Sequence, residues 1–381
     1  MKSIYLDYAA ATPIDPKVLA AMAPYFSEQF FNPSSKYLAG RAARRTLEKA
    51  RADIAQILGA KPGEIIFTAG ATEANNLAIK GVMQQFPKSE LLVSAIEHKS
   101  VTEPASRFKV RRIPVTPAGV VELDHLAKMV NDGTVLVSVM LVSNELGTIQ
   151  PLRDIGASIQ QVRHRRQLKG NRLPLYLHTD AAQAPNYLDL KTARLGVDLL
   201  TLNGGKIYGP KQSGILFVAG ATRLTPLIEG GGQERSLRSG TENLPAIVGL
   251  AEALKIAQAQ KAKQNAKLTA LRNFFTAELS KMPGVTINGR AKQRAPHIVS
   301  ATFAGIDNER LMMELDEAGV QVAVGSACSA ASVEPSPVLA AIGLTDQQAR
   351  ATLRFSFGRG TTKQQLTKTL RLLAKLVTST R

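Results

Sequence analysis

The sequence predicts an α/β fold, with a mostly parallel sheet in a large domain and a smaller α+β domain beside it. Short apolar runs alternate with helical patterns through the first 220 residues. This alternation is typical of a parallel sheet covered by helices on both faces. After about residue 252 it gives way to one long helical pattern. The 381 residues also exceed what one hydrophobic core normally holds, so a second domain is expected.

The strands of the sheet are the first elements that the sequence defines. They are predicted over residues 64–68, 91–94, 134–140, 175–179, 198–202 and 214–218. The first strand is followed by a turn at Gly70 and by a helix over about 72–80. Because strands and helices alternate in this way, a parallel sheet with crossover helices is the expected arrangement.

The elements after the sheet form the second domain. A long helix rich in alanine, lysine and glutamine is predicted over about 251–280, where it would bridge to that domain. A final amphipathic helix is indicated by apolar residues at helical spacing, Leu366, Leu370, Leu373 and Val377. We therefore expect a large domain over residues 14–252 and a small domain made of residues 1–13 and 253–381.

The composition narrows the class of protein. The most apolar run, Val135–Val142, is far shorter than the roughly 20 residues that span a bilayer. Residues 1–7 lack the apolar segment of a secretory signal. The single cysteine, Cys328, rules out an intrachain disulfide and a multi-cysteine zinc site. We expect a cytoplasmic protein with no membrane segment and no bound metal.

The charge balance is strongly basic. Lysine and arginine number 48 against 30 aspartates and glutamates, which gives a net charge of +18. Such a charge attracts RNA or an acidic partner protein, but no nucleic-acid motif accompanies it. We do not expect direct nucleic-acid binding, and a basic RNA-binding or scaffold protein remains the non-enzymatic alternative.

Three reactive side chains point to one chemistry. Lys206 lies in a glycine-rich run and can form an imine, while Asp180 ends a predicted strand and can keep a pyridine nitrogen protonated. Cys328 lies among glycine, serine and alanine rather than in a core pattern. Together these residues suggest pyridoxal phosphate chemistry on sulfur.

Two glycine-containing turns are candidates for binding the phosphate. The turn at Gly70 opens a helix whose N–H groups, with the Thr72 hydroxyl, form a possible anion cradle. The alternative is an ordinary strand–helix turn capped by threonine. The run from Asn203 to Lys206 can bring its backbone close to the same phosphate, because glycine has no Cβ.

Polar residues at the ends of two strands are candidates for contacting the cofactor ring. The carboxylate of Asp180 can pair with a pyridinium nitrogen, and Gln183 could donate a hydrogen bond to the ring's phenolic oxygen. His98 could stack on the ring and transfer protons near neutral pH. The alternatives are a helix cap for Asp180 and an ordinary loop position for His98.

A series of motifs in fixed order runs through nearly the whole chain. They are residues 5–13, 31–35, 67–76, 97–99, 143–147, 180–183, 206–211, 230–234, 238–243, 325–328 and 353–356. Through them the chain resembles cysteine desulfurases of the NifS and IscS type, in the class V aminotransferase superfamily. The resemblance implies fold type I of the pyridoxal-phosphate-dependent transferases. The small residues around Cys328 favour the desulfurase branch.

The resemblance implies a role for each matching residue. Lys206 would hold pyridoxal phosphate, His98 would stack on its ring, and Cys328 would attack the substrate sulfur. Arg354, in the small domain with Cys328, would clamp the substrate carboxylate, with Asn144 close by. The remaining cofactor-binding positions would be Ala71, Thr72, Asn144, Asp180, Gln183, Asn203 and Gly205, with Thr241 reaching the phosphate of a second subunit.

The implied reaction takes sulfur from L-cysteine, leaving L-alanine and a persulfide on Cys328. The enzyme would be a homodimer that delivers the sulfur to an acceptor protein, for iron–sulfur cluster assembly or tRNA thiolation. One departure concerns Gly205, because the family commonly has a histidine just before the cofactor lysine. A selenocysteine lyase or another class V aminotransferase is the enzymatic alternative.

Overall fold

The structure, a computed structural model, describes residues 3–289, 292–325 and 335–379. In this part of the chain the strands are β1 Ile4–Tyr5, β2 Ile65–Thr68, β3 Glu90–Ser94, β4 Lys109–Ile113, β5 Thr134–Ser138, β6 Tyr176–Asp180, β7 Leu199–Asn203, β8 Gly214–Val218, β9 Val285–Ile287, β10 Ile298–Phe303, β11 Val320–Gln321 and β12 Thr352–Ser356. The α-helices are α1 Pro16–Met22, α2 Pro24–Ser27, α3 Leu38–Leu58, α4 Ala71–Gln85, α5 Lys99–Ala105, α6 Leu123–Met129, α7 Leu152–Leu168, α8 Thr192–Leu195, α9 Leu244–Leu279, α10 Asn308–Glu317, α11 Pro337–Ala341, α12 Asp346–Ala349 and α13 Lys363–Ser379.

A seven-stranded sheet forms the centre of the molecule. Its strand order is β2-β8-β7-β6-β5-β3-β4. The pairs from β7 through β4 are parallel, and only β8 runs against its two neighbours, β2 and β7. The predicted α/β fold with a mostly parallel sheet is therefore confirmed, and the sheet has seven strands.

Both faces of this sheet are buried, which is why its strands are apolar at successive positions. On β8, Ile215 and Phe217 belong to one hydrophobic cluster, while Leu216 and Val218 belong to another. Alternate residues of a strand point to opposite faces. Helices therefore cover the sheet on both sides, as continuous apolar strands require.

A second hydrophobic core lies around a three-stranded antiparallel sheet of order β12-β10-β9. Phe275 of α9 packs edge-on against Phe355 and Phe357, with ring centroids 5.1 and 5.5 Å apart. Ile4 and Leu6 from the start of the chain join this core, and β1 pairs in parallel with β11. Residues from both ends of the sequence thus build one core.

Helix α9 contributes to both cores. Its first half, including Leu250 and Leu254, packs into the cluster around the central sheet, and its second half, including Leu268 and Phe275, packs into the second core. The helix begins at Leu244, earlier than predicted, because Asn243 caps it by accepting the N–H of Ala246.

Strand β4 was not predicted from the sequence. It lies at the edge of the sheet and carries Lys109, Arg111 and Arg112. Charged residues are usual on an edge strand, where they discourage pairing with other chains, so the strand lacks the apolar run of its neighbours.

Among the helices of the described residues, none combines the length and the continuous apolar character that a membrane-spanning helix needs.

Candidate active site

A cavity of about 170 Å³ opens at the carboxyl-terminal edge of the parallel strands. Open α/β sheets bind ligands at this edge, because the loops after successive strands meet there. Most of the site residues expected from the sequence line this cavity together, namely Ala71, Thr72, His98, Asn144, Asp180, Gln183, Asn203, Lys206 and Arg354.

The amino-terminal end of α4 forms one wall of the cavity. Gly70 caps the helix with φ +136° and offers no side-chain acceptor, and a Cβ built there would meet nothing within 4 Å. A Cβ on Gly214 would lie 2.7 Å from the Gly70 backbone, so the two chain segments touch. The N–H groups of Ala71 and Thr72 lack acceptors within the helix, and the positive end of the helix dipole favours an anion there.

Asp180 is held in a fixed orientation at the end of β6. It is 6% exposed, and its Oδ1 accepts the N–H of Ala182 at 2.9 Å. Its Oδ2 accepts from Nδ2 of Asn75 at 2.8 Å, and the same Nδ2 donates to Ser100 Oγ at 2.8 Å. Asn75, a residue of α4 to which sequence reasoning assigned no role, thus links the Asp180 carboxylate to the Ser100 hydroxyl.

His98 caps α5 and faces the cavity. Its Nδ1 accepts the N–H of Ser100 at 3.1 Å and lies 2.8 Å from Ser100 Oγ, whose hydroxyl is left to donate because Oγ accepts from Asn75. In the neutral ring Nε2 therefore carries the proton. Burial lowers the pKa of His98 and so does the charge of Lys206, while Asp180 acts in the opposite direction.

Lys206 ends a short 3₁₀ turn that follows β7. Its Nζ donates to the carbonyl oxygens of Ala9 at 3.0 Å and of Ala10 at 2.6 Å. The turn is capped by Asn203, whose Oδ1 accepts the N–H of Gly205 at 2.9 Å. The amine is therefore held over the cavity by a segment from the start of the chain.

The two glycines before Lys206 differ in what surrounds them. A Cβ on Gly204 would lie 2.0 Å from Ser213 Oγ, so no side chain fits there. A Cβ on Gly205 would lie 3.4 Å from Asn203 Oδ1 and 3.6 Å from Cγ of Lys211, which are ordinary contacts. Packing does not impose glycine at position 205, where the family commonly has a histidine.

Arg354 of β12 is buried, with 3% of its surface exposed. Its Nη2 donates to Asp7 Oδ1 at 2.6 Å and its Nη1 donates to the carbonyl oxygen of Asn144 at 3.0 Å. Within the described residues its Nε has no hydrogen-bond partner. Asp7, to which sequence reasoning assigned no role, therefore holds this guanidinium in place.

Gln183 is fixed by contacts on both ends of its amide. Its Nε2 donates to Ala9 O at 2.9 Å, and its Oε1 lies 3.1 Å from Nε2 of His297. Burial lowers the pKa of His297 to about 3, so its ring is neutral and donates this bond. The ring also stacks on Tyr187 with centroids 4.2 Å apart.

Two buried glutamates, each next in sequence to a residue that lines the cavity, received no role from sequence reasoning, although both stand in runs that carry the family resemblance. Glu97 Oε1 accepts from Ser94 Oγ and from the N–H of Met140, each at 2.6 Å, and burial raises the pKa of Glu97 to about 8. Glu145 follows Asn144, and burial raises the pKa of its carboxyl as well. The sequence signal that could have identified them is a glutamate inside a run that is otherwise apolar or made of small residues.

Two expected site residues in the described part of the chain do not line the cavity. Thr241 lines a different cavity, with Thr68, Gln212 and Arg238, and Gly205 is not among the lining residues, although it directly precedes Lys206. Cys328 lies outside the described residues. In the part of the chain that the structure describes, no group of histidine, cysteine, aspartate or glutamate side chains could hold a metal ion.

Known proteins resemble this chain over its full length. The class-V aminotransferase family profile matches residues 4–368. Cysteine desulfurase IscS of Dictyoglomus turgidum is 39% identical, over 99% of this chain and 95% of that protein. Cysteine desulfurase IscS 1 of Archaeoglobus fulgidus is 38% identical, over 98% of this chain and 96% of the relative.

Solved structures agree with these relatives. A NifS-like protein superposes with a TM-score of 0.88 at 32% identity, covering 99% of this chain and 100% of the other. SspA in complex with cysteine superposes with a TM-score of 0.81 at 34% identity, covering 93% of this chain and 99% of that one. The chain therefore belongs to the class-V aminotransferase family, among the cysteine desulfurases of the IscS and NifS type.

Proposed function

We propose that this protein takes sulfur from free L-cysteine, releases L-alanine and carries the sulfur as a persulfide on Cys328. The observation that carries the proposal is that Lys206, Asp180 and the amino-terminal end of α4 line the same cavity. An amine, a carboxylate and an anion-binding helix end are the three groups that pyridoxal phosphate requires of a protein.

The polar groups that line the cavity match the groups of pyridoxal phosphate that a protein must bind. The phosphate would lie at the first turn of α4, where the space beyond Gly70 is open, with Ala71, Thr72 and Asn203 around it. Asp180 would pair with the ring nitrogen, Gln183 and Asn144 would contact the polar edge of the ring, and His98 would stack on its face. Gly205, next to Lys206, would offer its backbone N–H. Pyridoxal phosphate, when bound, withdraws electrons from the Cα atom of an amino acid and weakens the bonds around it.

The chain's own residues would supply the remaining chemistry. Lys206 would hold the cofactor and then, as an amine, remove the Cα proton of the substrate, while Arg354 binds the substrate carboxylate. The Cys328 thiolate would attack the substrate sulfur, so that an S–S bond forms as the C–S bond breaks with its electron pair on carbon. That carbon, Cβ, would take up a proton, and the Lys206 ammonium would return a proton to Cα, so that the products are alanine and a Cys328 persulfide.

The proposal extends to the partners of the enzyme. Two copies would form a homodimer in which Thr241 of each copy serves the phosphate of the other, since Thr241 lines a cavity apart from Lys206 in its own chain. An acceptor protein, for cluster assembly or tRNA thiolation, would then take the sulfur. Because Cys328 must remain a free thiol between turnovers, a reducing cytoplasm is the proposed location.

The test compares Cys328→Ser and Lys206→Ala with the wild-type enzyme. We expect Cys328→Ser to keep the yellow bound cofactor and to bind cysteine, yet to release no alanine, because its hydroxyl is a poor nucleophile toward sulfur. In Lys206→Ala, borohydride should no longer fix the cofactor to the chain. Mass spectrometry of wild-type enzyme treated with cysteine should find one added sulfur on Cys328, removable by a reductant.

Two outcomes would contradict the proposal. Alanine release by Cys328→Ser at the wild-type rate would favour an aminotransferase, and trapping of the cofactor on Lys211 would remove Lys206 from its role. Assaying cysteine and selenocysteine side by side tests the lyase alternative, which shares every named residue.

A further inference from the structure

A buried histidine contacts the amide of Gln183, one of the side chains that line the cavity. This residue, His297, is 2% exposed and directly precedes β10. Its Nε2 lies 3.1 Å from Oε1 of Gln183. At the other end of the amide, Nε2 of Gln183 donates to the carbonyl oxygen of Ala9 at 2.9 Å. The amide is therefore held between a backbone group near the start of the chain and a side chain beside β10.

Only one arrangement of protons satisfies both contacts of the amide. A backbone carbonyl oxygen can only accept, so the Gln183 atom that faces Ala9 is the amide nitrogen. The amide oxygen then faces His297, and because this oxygen also can only accept, Nε2 of His297 must carry a proton. A half-turn of the amide would place oxygen against oxygen at Ala9 and N–H against N–H at His297. The histidine thus decides which way round the amide lies.

The ring of His297 is fixed and uncharged. It stacks on Tyr187 with planes 21° apart, and its backbone carbonyl oxygen accepts the N–H of Phe357 at 2.7 Å. Burial, together with the charges of Arg354 and Arg272, lowers the pKa of His297 to about 3. Among the described residues Nδ1 has no hydrogen-bond partner, as suits an unprotonated nitrogen. The one proton of the neutral ring therefore stays on Nε2.

This orientation leaves an amide hydrogen for a ligand. Nε2 of Gln183 carries two hydrogens, and Ala9 O is the acceptor that the described part of the chain provides for it. Ala9 O also accepts from Nζ of Lys206 at 3.0 Å, so the amide donor and the reactive amine lie beside one another. In pyridoxal phosphate the phenolic oxygen is on the ring carbon next to the one that bears the aldehyde. With the cofactor on Lys206, this oxygen would therefore meet an N–H of Gln183 rather than its amide oxygen.

We propose that His297 is a positioning residue that holds the oxygen of the Gln183 amide and thereby presents its N–H to the phenolic oxygen of the cofactor. The inference rests on the proposed function, because it takes pyridoxal phosphate as the ligand. His297 itself does not line the cavity. It acts through Gln183, keeps its proton and takes no part in the bond changes.

The test follows the yellow absorbance of the enzyme loaded with pyridoxal phosphate as the pH is raised. A donor on the phenolic oxygen weakens the hold of that oxygen on the imine proton, so its loss should raise the pH at which half of the yellow absorbance disappears. His297→Phe keeps a ring on Tyr187 but removes the donor. We expect it to raise this transition pH by about 0.5–1 unit, which corresponds to one hydrogen bond.

A conservative variant separates the lost donor from a disturbed fold. His297→Gln should keep the transition pH near the wild-type value, because its amide nitrogen is as far along the side chain as Nε2 of histidine. Thermal unfolding of each variant would show that it is folded. His297→Leu, which also lacks a donor, serves in place of His297→Phe if that variant does not fold.

A double-mutant cycle shows whether His297 acts through Gln183. Gln183→Met should raise the transition pH at least as much as His297→Phe does. Adding His297→Phe to Gln183→Met should then change nothing further, because no amide is left to orient. A histidine that only supported the fold would add its effect in both backgrounds.

His178 provides a matched control. It is also fully buried, and burial lowers its pKa to about 4. Its ring nitrogens lie 2.8 Å from Ser138 Oγ and 3.2 Å from Thr201 Oγ1, and none of these three residues lines the cavity. His178→Phe removes a buried neutral imidazole as His297→Phe does, yet it should leave the transition pH unchanged.

Three outcomes would overturn the role of His297. They are a wild-type transition pH in folded, loaded His297→Phe, an equal rise in His178→Phe, and a further rise when His297→Phe is added to Gln183→Met. Failure of the proposed function is distinguishable, because the wild-type enzyme would then take up no yellow cofactor, which would overturn both proposals, or Cys328→Ser would release alanine. If the wild type is yellow and Cys328→Ser is inactive while His297→Phe matches the wild type, only the role of His297 is wrong.

Discussion

At the scale of single residues, hydrogen bonds orient each charged side chain of the cavity. Asn75 and the N–H of Ala182 hold Asp180, two backbone carbonyls hold Lys206, and Asp7 holds Arg354. A group whose orientation is fixed before the substrate arrives loses less conformational freedom on binding it. The partners of the reactive residues are therefore as much a part of the site as the reactive residues.

Arg354 gives the first prediction at this scale. Arg354→Ala should raise the KM for cysteine while cofactor binding stays intact, because removing a charge-assisted clamp costs about 2–4 kcal/mol. Steady-state kinetics with the cofactor absorbance recorded in parallel would measure this. Asp7→Asn is the companion variant, and it should shift KM less because the guanidinium remains. An unchanged KM in Arg354→Ala would mean that another cation holds the substrate.

Glu97 gives the second prediction, on the pH dependence of stability. Burial raises the pKa of Glu97 from 4.5 to about 8 in the folded protein. The folded state then binds the proton more tightly than the unfolded chain, so this contribution to stability is complete below pH 4.5 and is lost as the pH rises to 8.

Glu97→Gln mimics the neutral acid, so its Tm should fall less than the wild-type Tm as the pH rises across this window. Thermal unfolding over a pH series would measure the difference, with the exposed Glu103→Gln as control. Parallel Tm profiles for wild type and Glu97→Gln would show that Glu97 is already ionised when folded.

At the scale of elements, an ion pair fixes an unusual turn beside the site. Glu234, Arg235 and Ser236 all have positive φ, between 43° and 60°, a region that is costly for residues other than glycine. The Arg51 guanidinium of α3 donates through both Nη atoms to Glu234, each at 2.7 Å, and Glu234 also accepts the N–H of Phe67 of β2. The turn leads into the segment that carries Thr241.

Arg51→Ala should therefore destabilise the fold by about 3–5 kcal/mol, because it leaves the Glu234 carboxylate buried without its partner. Denaturant unfolding monitored by circular dichroism would measure the loss. Arg194, which pairs with Asp189 and is 79% exposed, is the matched control, and Arg194→Ala should cost no more than about 1 kcal/mol. Equal losses for the two variants would show that burial does not distinguish these pairs.

At the scale of the whole molecule, two cores meet around the site. The cavity draws Lys206 from the sheet, Arg354 from β12, and the carbonyls of Ala9 and Ala10 from the start of the chain. We propose the division into residues 14–252 as the large domain, with the remainder as the small one, although α9 runs through the boundary without a break. In this division the site would lie where the two domains join.

The proposed homodimer, in which the subunits would share their sites, leads to a prediction with mixed subunits. Lys206→Ala and Thr241→Ala homodimers should each be impaired at low cofactor concentration. A heterodimer of the two has one site with both changes and one site with neither, if Thr241 serves its partner. Each heterodimer should therefore regain about half of the wild-type activity, as the two-fold symmetry of a dimer requires.

Differently tagged subunits, exchanged and purified through both tags, would provide the heterodimer. A simple mixture without exchange is the control, and it should show no recovery. Absence of recovery in the purified heterodimer would place Thr241 in the site of its own chain, or outside the site.

The sequence by itself determined the fold class and most residues of the cavity. Apolar runs marked the central strands. Asp180 ends β6 and Lys206 follows β7, and these two strands are parallel neighbours in the sheet. Polar residues after adjacent parallel strands must meet at one edge, so local pattern was sufficient for them. Strand β4 was not predicted, because this basic strand at the edge of the sheet lacks the apolar run that marks the central strands.

Only the tertiary structure decided which groups hold those residues in place. Asp7 and Arg354 are 347 positions apart, Asn75 and Asp180 are 105 apart, and Glu145 and Ser336 are 191 apart. Hydrogen bonds of this kind need side chains within about 3 Å of each other, and no periodicity along the sequence encodes such a meeting. The chain's pattern therefore fixes which elements form and what chemistry they carry, whereas packing of distant segments fixes the orientation in which that chemistry is presented.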